Sequence, residues 1–185
     1  MALTKTPVCD FGKKAEDFKL KSIENKIISL NDVKGEKATL IMFICNHCPY
    51  VKAIIRDLAK DCNELKKDGI NSVAIMSNDT KNYPEDSFDN MIKFAETNNF
   101  GEINYLIDET QEIARKYGAV CTPDFFGYNK ELKLQYRGRF RELKDLKPVS
   151  GGDSDLKIAM KMISETQAGP KEQIPSMGCN IKWFN

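Results

Sequence analysis

No stretch of the 185-residue chain approaches the roughly 20 consecutive apolar residues that a membrane-spanning helix needs, and Met1 to Gly12 holds no apolar core of a secretion signal. A cytoplasmic protein with no membrane partner is expected. The chain also lacks an excess of charge, with 28 lysines and arginines against 27 aspartates and glutamates. That balance gives no basic field for nucleic acid, so polyanion partners are not expected. There is one histidine and no second Cys-x-x-Cys, so an ordinary tetrahedral zinc site has no other half. Neither a metal nor a bound cofactor is expected. Internal repeats and low-complexity tracts are missing too. The length suits one domain over residues 1–185, with 1–37 as an N-terminal extension and 170–185 as a C-terminal tail.

What the chain does have is six cysteines. In a cytosolic chain of this size they argue against a disulfide framework and for redox or metal chemistry at a few of them. Two of them stand in Phe43-Ile44-Cys45-Asn46-His47-Cys48-Pro49-Tyr50-Val51, where a buried strand gives way to a helix. Ala38 to Ile44 is continuously apolar apart from Thr39 and reads as an interior strand. After Pro49, the residues Val51, Ile54, Ile55, Leu58, Ala59, Cys62 and Leu65 recur every three or four positions, so a helix runs to about Lys67 with Cys62 in the core. A thiol at a helix N-terminus meets unpaired N–H groups and partial positive charge, which favour its thiolate. His47 adds to that when protonated.

Further elements follow in alternation. A hairpin is expected over Phe18–Leu30, a loop over Asn31–Lys37, and a strand over Ile70–Ser77 parallel to the first. A helix follows from Phe88 to about Asn98. After a strand at Asn104–Ile107, Asp108-x-x-Gln111 resembles a capping box opening a helix that stops at Gly118. Cys121-Thr122-Pro123 leads into a second hairpin made of Asp124–Tyr128 and Leu132–Gly138. A last helix is expected to be capped by Asp153. The tail carries Ser176-Met177-Gly178-Cys179-Asn180-Ile181-Lys182-Trp183.

A strand, Cys-x-x-Cys, helix unit followed by Thr-Pro opening a hairpin resembles the thioredoxin superfamily over the whole length. Phe-Ile-Cys-Asn-His-Cys-Pro-Tyr-Val-Lys, Tyr-Pro-Glu-Asp-Ser-Phe, Gly-Ala-Val-Cys-Thr-Pro-Asp-Phe-Phe and Pro-Ser-Met-Gly-Cys-Asn-Ile-Lys-Trp are similar to the peroxiredoxin-like redoxins, the AhpC/TSA-type thioredoxin family proteins. The resemblance implies an α/β thioredoxin-like fold: a central mixed β-sheet flanked by helices, an N-terminal hairpin and an inserted helix. It implies an oxidoreductase in which Cys45 is the nucleophile, Cys48 resolves it, and Pro123 is the cis-proline beside the site. It also implies supporting roles for His47, Pro49 and Thr122. A histidine before the second cysteine resembles the disulfide oxidant DsbA, and the direction of electron flow stays open.

In peroxiredoxins the same positions read differently, with threonine in place of Cys45 and the peroxidatic cysteine in place of Cys48. Their thiolate-facing arginine is missing at Cys121-Thr122-Pro123; Arg137 or Arg139 would have to substitute, or else both are solvated strand arginines. Cys121 lies two before the proline, in reach of the pair, and Cys179 is a further redox candidate. Cys9 carries no expected role. Three functions follow. The first is thiol–disulfide exchange with a protein or small-molecule disulfide, reset by a thiol reductant or reductase. The second is reduction of hydroperoxides through Cys48. The third is a metal-binding module using Cys45, His47, Cys48 and Cys121. Tyr50, Phe125 and Phe126 are either core or substrate-facing.

Overall fold

The computed structural model describes residues 2–7 and 10–184, so Cys9 lies outside the described residues. In chain order its elements are β1 (Leu3–Lys5), β2 (Lys19–Ser22), β3 (Ile27–Ser29), α1 (Leu30–Val33), β4 (Ala38–Phe43), α2 (Pro49–Lys66) and β5 (Ile70–Met76). A 3-10 turn at Pro84–Asp86 precedes α3 (Phe88–Thr97), β6 (Asn104–Ile107), α4 (Glu112–Tyr117), β7 (Cys121–Thr122), β8 (Asp124–Asn129) and β9 (Leu134–Tyr136). The chain closes with β10 (Leu143–Lys144), β11 (Lys147–Pro148), α5 (Asp155–Thr166) and β12 (Met177–Asn180).

Strand β4 is buried along its whole length and pairs parallel with β5 and antiparallel with β8. It lies inside a seven-stranded mixed sheet ordered β3-β2-β6-β5-β4-β8-β9. Because successive side chains point to opposite faces, Leu40 and Met42 join Val51, Ile55 and Leu58 of α2 and Ala159 and Ile163 of α5 on one side. Ile41 and Phe43 join Ile113, Ala114 and Tyr117 of α4 on the other. The continuous apolar run is thus a strand covered on both faces, the reading its composition gave. Central mixed sheet and flanking helices are as expected from the resemblance.

Several local expectations need correction. The loop expected over Asn31–Lys37 begins inside α1, whose N-cap Ser29 and Asp32 form a reciprocal capping box. The N-terminal extension is part of the main sheet, since β2 pairs with both β3 and β6. Asp108-x-x-Gln111 makes no box: the Asp108 carboxylate accepts from Ala114 N at 2.9 Å, while Gln111, at φ 62°, turns its side chain inward. Helix α5 is capped by Ser154, whose hydroxyl accepts from Lys157 N and donates to Asp61. Asp153 instead pairs with the Lys157 ammonium at 2.8 Å.

The largest correction concerns the C-terminal tail. Its residues Met177–Asn180 form β12, antiparallel to both β1 and β7 in a three-stranded sheet. Gly178 makes that possible, because a Cβ there would sit 2.0 Å from the Thr122 carbonyl oxygen. Through β7 the tail is laid directly against the Thr122-Pro123 corner.

Candidate active site

Between the end of β4 and the start of α2 only Ile44–Cys48 intervene, and these residues make the turn that carries both cysteines. Pro49 holds the first position of α2, where its missing N–H costs no hydrogen bond. Cys48 is the N-cap and has extended backbone angles. Its Sγ lies 3.0 Å from Cys179 Sγ and 3.1 Å from the Thr122 carbonyl oxygen, to which the protonated thiol donates. Cys45 is fully buried, with its Sγ 3.4 Å from Thr122 Oγ1. The Thr122–Pro123 bond is cis.

The two thiols divide one proton unequally. A hydrogen bond from the Cys45 thiol draws the Cys48 pKa down to about 5, against the cost of burial, with help from the Cys179 thiol and the Val51 amide. Cys45 is pushed well above its ordinary value, first by that same bond to Cys48, then by burial and by the negative charge of Asp86. The direction is physically coherent, because Cys48 and not Cys45 occupies the helix terminus where N–H groups converge. The cap position favours the thiolate at Cys48, the residue to which the resemblance gives the resolving role.

His47 is largely buried, with 13% of its side chain accessible, and its Nδ1 is 2.7 Å from Asp86 Oδ2. Its ring stacks on Tyr83 at 5.6 Å between centroids. Its pKa is raised, chiefly by the Asp86 hydrogen bond and against the effect of burial. Asp86 is fully buried and accepts from Asn46 N at 2.8 Å, His47 N at 3.2 Å and Asn78 Nδ2 at 2.8 Å besides. Burial raises its pKa, but the bonds from His47 and Asn78 outweigh it and leave the group below the usual carboxylate range. Asn46 is fixed by Tyr105, whose hydroxyl donates to Asn46 Oδ1 at 2.9 Å. The whole cysteine loop thus hangs on one carboxylate.

Asp86 stands in the Tyr-Pro-Glu-Asp-Ser-Phe segment, and the sequence alone gives it no role at the site. Its signal was local: a Tyr-Pro-Glu-Asp turn in an otherwise polar connection, which gives no hint of the partner 40 positions away. Cys45, His47 and Asp86 bring ligand-type atoms within 4.8 Å of one another. Both Asp86 oxygens already accept two hydrogen bonds each, so a cation there would have to displace that network. Cys121, the fourth ligand of the metal-binding expectation, turns its Sγ toward the Pro123 carbonyl oxygen at 3.5 Å. Burial, then the Asp124 charge, push its thiol far up. The third sulfur against Cys48 is that of Cys179. Cys62 is a core thiol as expected, driven up to about 12 by burial.

Neither arginine fits either expectation. Arg137 is buried, binds the fully buried Asp124 at 3.0 Å and the Gly118 carbonyl oxygen at 2.7 Å, and lies over the Phe126 ring. Arg139 is half-buried and pairs with Asp155 at 2.6 Å. Phe125 and Phe126 are core residues. Tyr50 lines a groove of ≈ 420 Å³ with Ile54, Pro123, Phe140, Leu143 and Met177. This groove therefore runs past residues one or two positions from Cys48, Thr122 and Cys179.

Comparison with known proteins now decides the family, since the AhpC/TSA family matches residues 11–139, more than half of the chain. The chain belongs to the AhpC/TSA family. It is similar to an uncharacterized conserved protein from Geobacillus kaustophilus, at 39% identity and TM-score 0.94, covering 100% of this chain and 97% of that one. A hypothetical protein from Sinorhizobium meliloti 1021 aligns at 35% identity and TM-score 0.90, over 98% of each chain. The thioredoxin domain of a thiol-disulfide oxidoreductase from Bacteroides vulgatus shares the fold, at 20% identity and TM-score 0.59, over 70% of this chain and 89% of that one. No curated protein matches the chain. This redoxin is thus an AhpC/TSA-family protein with the thioredoxin-like fold, and its family is one of oxidoreductases. No helix among the described residues is long and apolar enough to cross a membrane.

Proposed function

We propose that this redoxin is a thiol–disulfide oxidoreductase, acting as one domain over residues 1–185, in which Cys48 is the attacking thiolate and Cys45 its resolving partner. The observation that carries this is the placement of Cys48 at the N-cap of α2, where its pKa is drawn down, first by the neighbouring Cys45 thiol. The Cys48 thiolate attacks one sulfur of a substrate disulfide, forming a mixed disulfide and expelling one substrate thiolate, which takes up a proton. With the charge on Cys48 gone, Cys45 loses its proton and attacks Cys48 Sγ, expelling the second substrate thiolate, which takes that proton. Two electrons and two protons have then passed to the substrate, and the Cys45–Cys48 disulfide awaits a thiol reductant or a reductase. The reverse sequence oxidises a dithiol. No cofactor or metal enters either direction.

The roles of the neighbours follow. Thr122 holds Cys45 through its hydroxyl, Pro123 forms part of the groove in which a disulfide-bearing peptide or small disulfide lies, and Pro49 starts the helix beneath Cys48. His47, its pKa raised by Asp86, adds positive charge beside the loop when it is protonated. A cytoplasmic address is part of the proposal.

One observation favours a second reading, a thiol peroxidase. Cys48 is the sulfur with the lowered pKa in a member of the AhpC/TSA family, and it is fully buried, a place that a small hydroperoxide reaches with less rearrangement than a disulfide needs. Attack on a hydroperoxide would give a Cys48 sulfenic acid, and condensation with the Cys45 thiol would release water. Against it stands Arg137, committed to Asp124 and unavailable to polarise a peroxide. The deciding experiment compares thiol loss from reduced protein with stoichiometric hydrogen peroxide and with oxidised glutathione, in wild type, Cys45→Ser and Cys48→Ser. Fast disulfide exchange lost in Cys48→Ser, with peroxide no faster than at an ordinary thiol, is the expected result. Peroxide reaction orders of magnitude above that, abolished only by Cys48→Ser, would replace the first reading by the second.

A further inference from the structure

We propose that Cys48 has two intramolecular partners, and that Cys179 of the C-terminal strand β12 is the second, able to close a Cys48–Cys179 disulfide in place of Cys45–Cys48. The proposal rests on the reading of Cys48 as the reactive thiolate. Its own support is the position of Cys179. Strand β12 is clamped between β1 and β7, with Cys179 in register with Thr122, so the backbone presents its Sγ to Cys48 at 3.0 Å. The approach of the two strands depends on Gly178, beside it, where a side chain would strike the Thr122 carbonyl. Cys179 is only 4% exposed and Cys48 is fully buried, so the two sulfurs meet inside the protein. Cys121, whose strand neighbour is Asn180, instead contacts the Pro123 carbonyl.

The chemistry is ordered by charge. While Cys48 is a thiolate, the Cys179 thiol serves as a hydrogen-bond donor to it, and burial together with that bond holds Cys179 protonated, up to about 12. Once Cys48 is tied to a substrate sulfur, the neighbouring negative charge is gone and the Cys48 sulfur becomes the electrophile. Cys179 then gives up its proton and attacks Cys48 Sγ, and the substrate thiolate leaves and takes up that proton. The balance is that of the first mechanism, two thiols oxidised to one disulfide and one substrate disulfide reduced to two thiols. The products differ in what remains. The Cys48–Cys179 bond leaves Cys45 as a free thiol, and attack of Cys45 on Cys48 would convert one isomer to the other with no net redox change, releasing Cys179.

The test uses oxidised glutathione on the reduced full-length chain, followed by acid quench, alkylation and tryptic mapping. Cys45 and Cys48 share the peptide of residues 38–52, Cys179 lies in 172–182 and Cys121 in 117–130. In Cys45→Ser the expected result is loss of two thiols per chain, no retained glutathione, and a covalent link between 38–52 and 172–182. In Cys45→Ser/Cys179→Ser one thiol is lost and one glutathione stays on Cys48. Partly oxidised wild type, which needs no substitution, should contain the same linked pair beside the internally bridged 38–52 peptide. The proposal is overturned if Cys45→Ser retains glutathione on Cys48 with 172–182 unlinked, or if the link goes to 117–130. Absence of any reaction at Cys48 in every variant would overturn the thiolate reading itself, and is told apart by the lack of glutathione incorporation.

Discussion

Replacing Asp86 by Asn removes the charge on which the cysteine loop hangs while keeping the shape of the side chain. Two backbone bonds, from Asn46 N and His47 N at 2.8 and 3.2 Å, change from charge-assisted to neutral, losing about 1 kcal/mol each because charged acceptors make bonds roughly twice as strong. The Asn amide must also face either His47 Nδ1 or Asn78 Nδ2 as a second donor, at about 1 kcal/mol or more for the bond forfeited. The sum is about 3 kcal/mol, or roughly 6–12 °C in thermal midpoint for a chain of this size. The pH dependence has a definite sign. His47 has a raised folded pKa, so its contribution is complete below its unfolded value of about 6.5 and is lost as pH rises through the folded value. Asp86 has a lowered one, so its contribution is present above the unfolded value and lost as pH falls through the folded value. The stability gap between wild type and Asp86→Asn is therefore widest between about pH 4 and 6.5. His47 is the only histidine, so its ring resonance in an NMR titration reads the pair alone. A wild-type midpoint at or below the free-histidine value, or one unmoved by Asp86→Asn, would refute the reasoning.

Three further outcomes are expected. The stability difference between wild type and Cys48→Ser should grow with pH, since a pKa lowered to about 5 stabilises the fold fully only above the unfolded value of about 8.5 and not below the folded one; denaturation at a series of pH values measures it, and a flat difference would contradict the ionised cap. Gly178→Ala should cost about 2–3 kcal/mol by forcing β12 off the Thr122 carbonyl, in line with overpacking, and should slow formation of any disulfide to Cys179; a fully stable variant would show that the close approach is not required. Arg137→Met leaves Asp124 buried without its partner, at a cost of about 3–5 kcal/mol by urea denaturation, with the peroxide rate of the folded protein unchanged. A fall in that rate would place Arg137 at the reacting sulfur.

What the sequence made legible was everything that depends on short-range pattern. Ala38–Ile44 could only be a doubly buried strand, and the three-and-four spacing from Val51 to Leu65 fixed the helix and put Cys62 in its core. Thr122-Pro123 marked the corner opposite the cysteines. What it hid depends on distant partners. Asp86 looks like any turn aspartate until its turn is folded against Asn46 and His47. Cys179 sits in Met-Gly-Cys-Asn, a segment with little strand preference, and becomes β12 only because two other strands supply its pairing. Arg137 reads as a surface strand residue because nothing local announces the buried Asp124 across the corner. The division of labour proposed for Cys45 and Cys48 differs from the one the resemblance implies for a subtler reason. Sequence places both near a helix start, and only the structure shows which one is the cap.

The most direct test of the central assignment is a titration of thiolate ultraviolet absorbance in the reduced protein, run beside Cys45→Ser and Cys48→Ser. Wild type should ionise one thiol with a midpoint at about pH 5, Cys48→Ser should lose that step entirely, and Cys45→Ser should keep one ionisation at a higher midpoint. A low step that survives in Cys48→Ser and vanishes in Cys45→Ser would contradict the assignment and return the thiolate to Cys45.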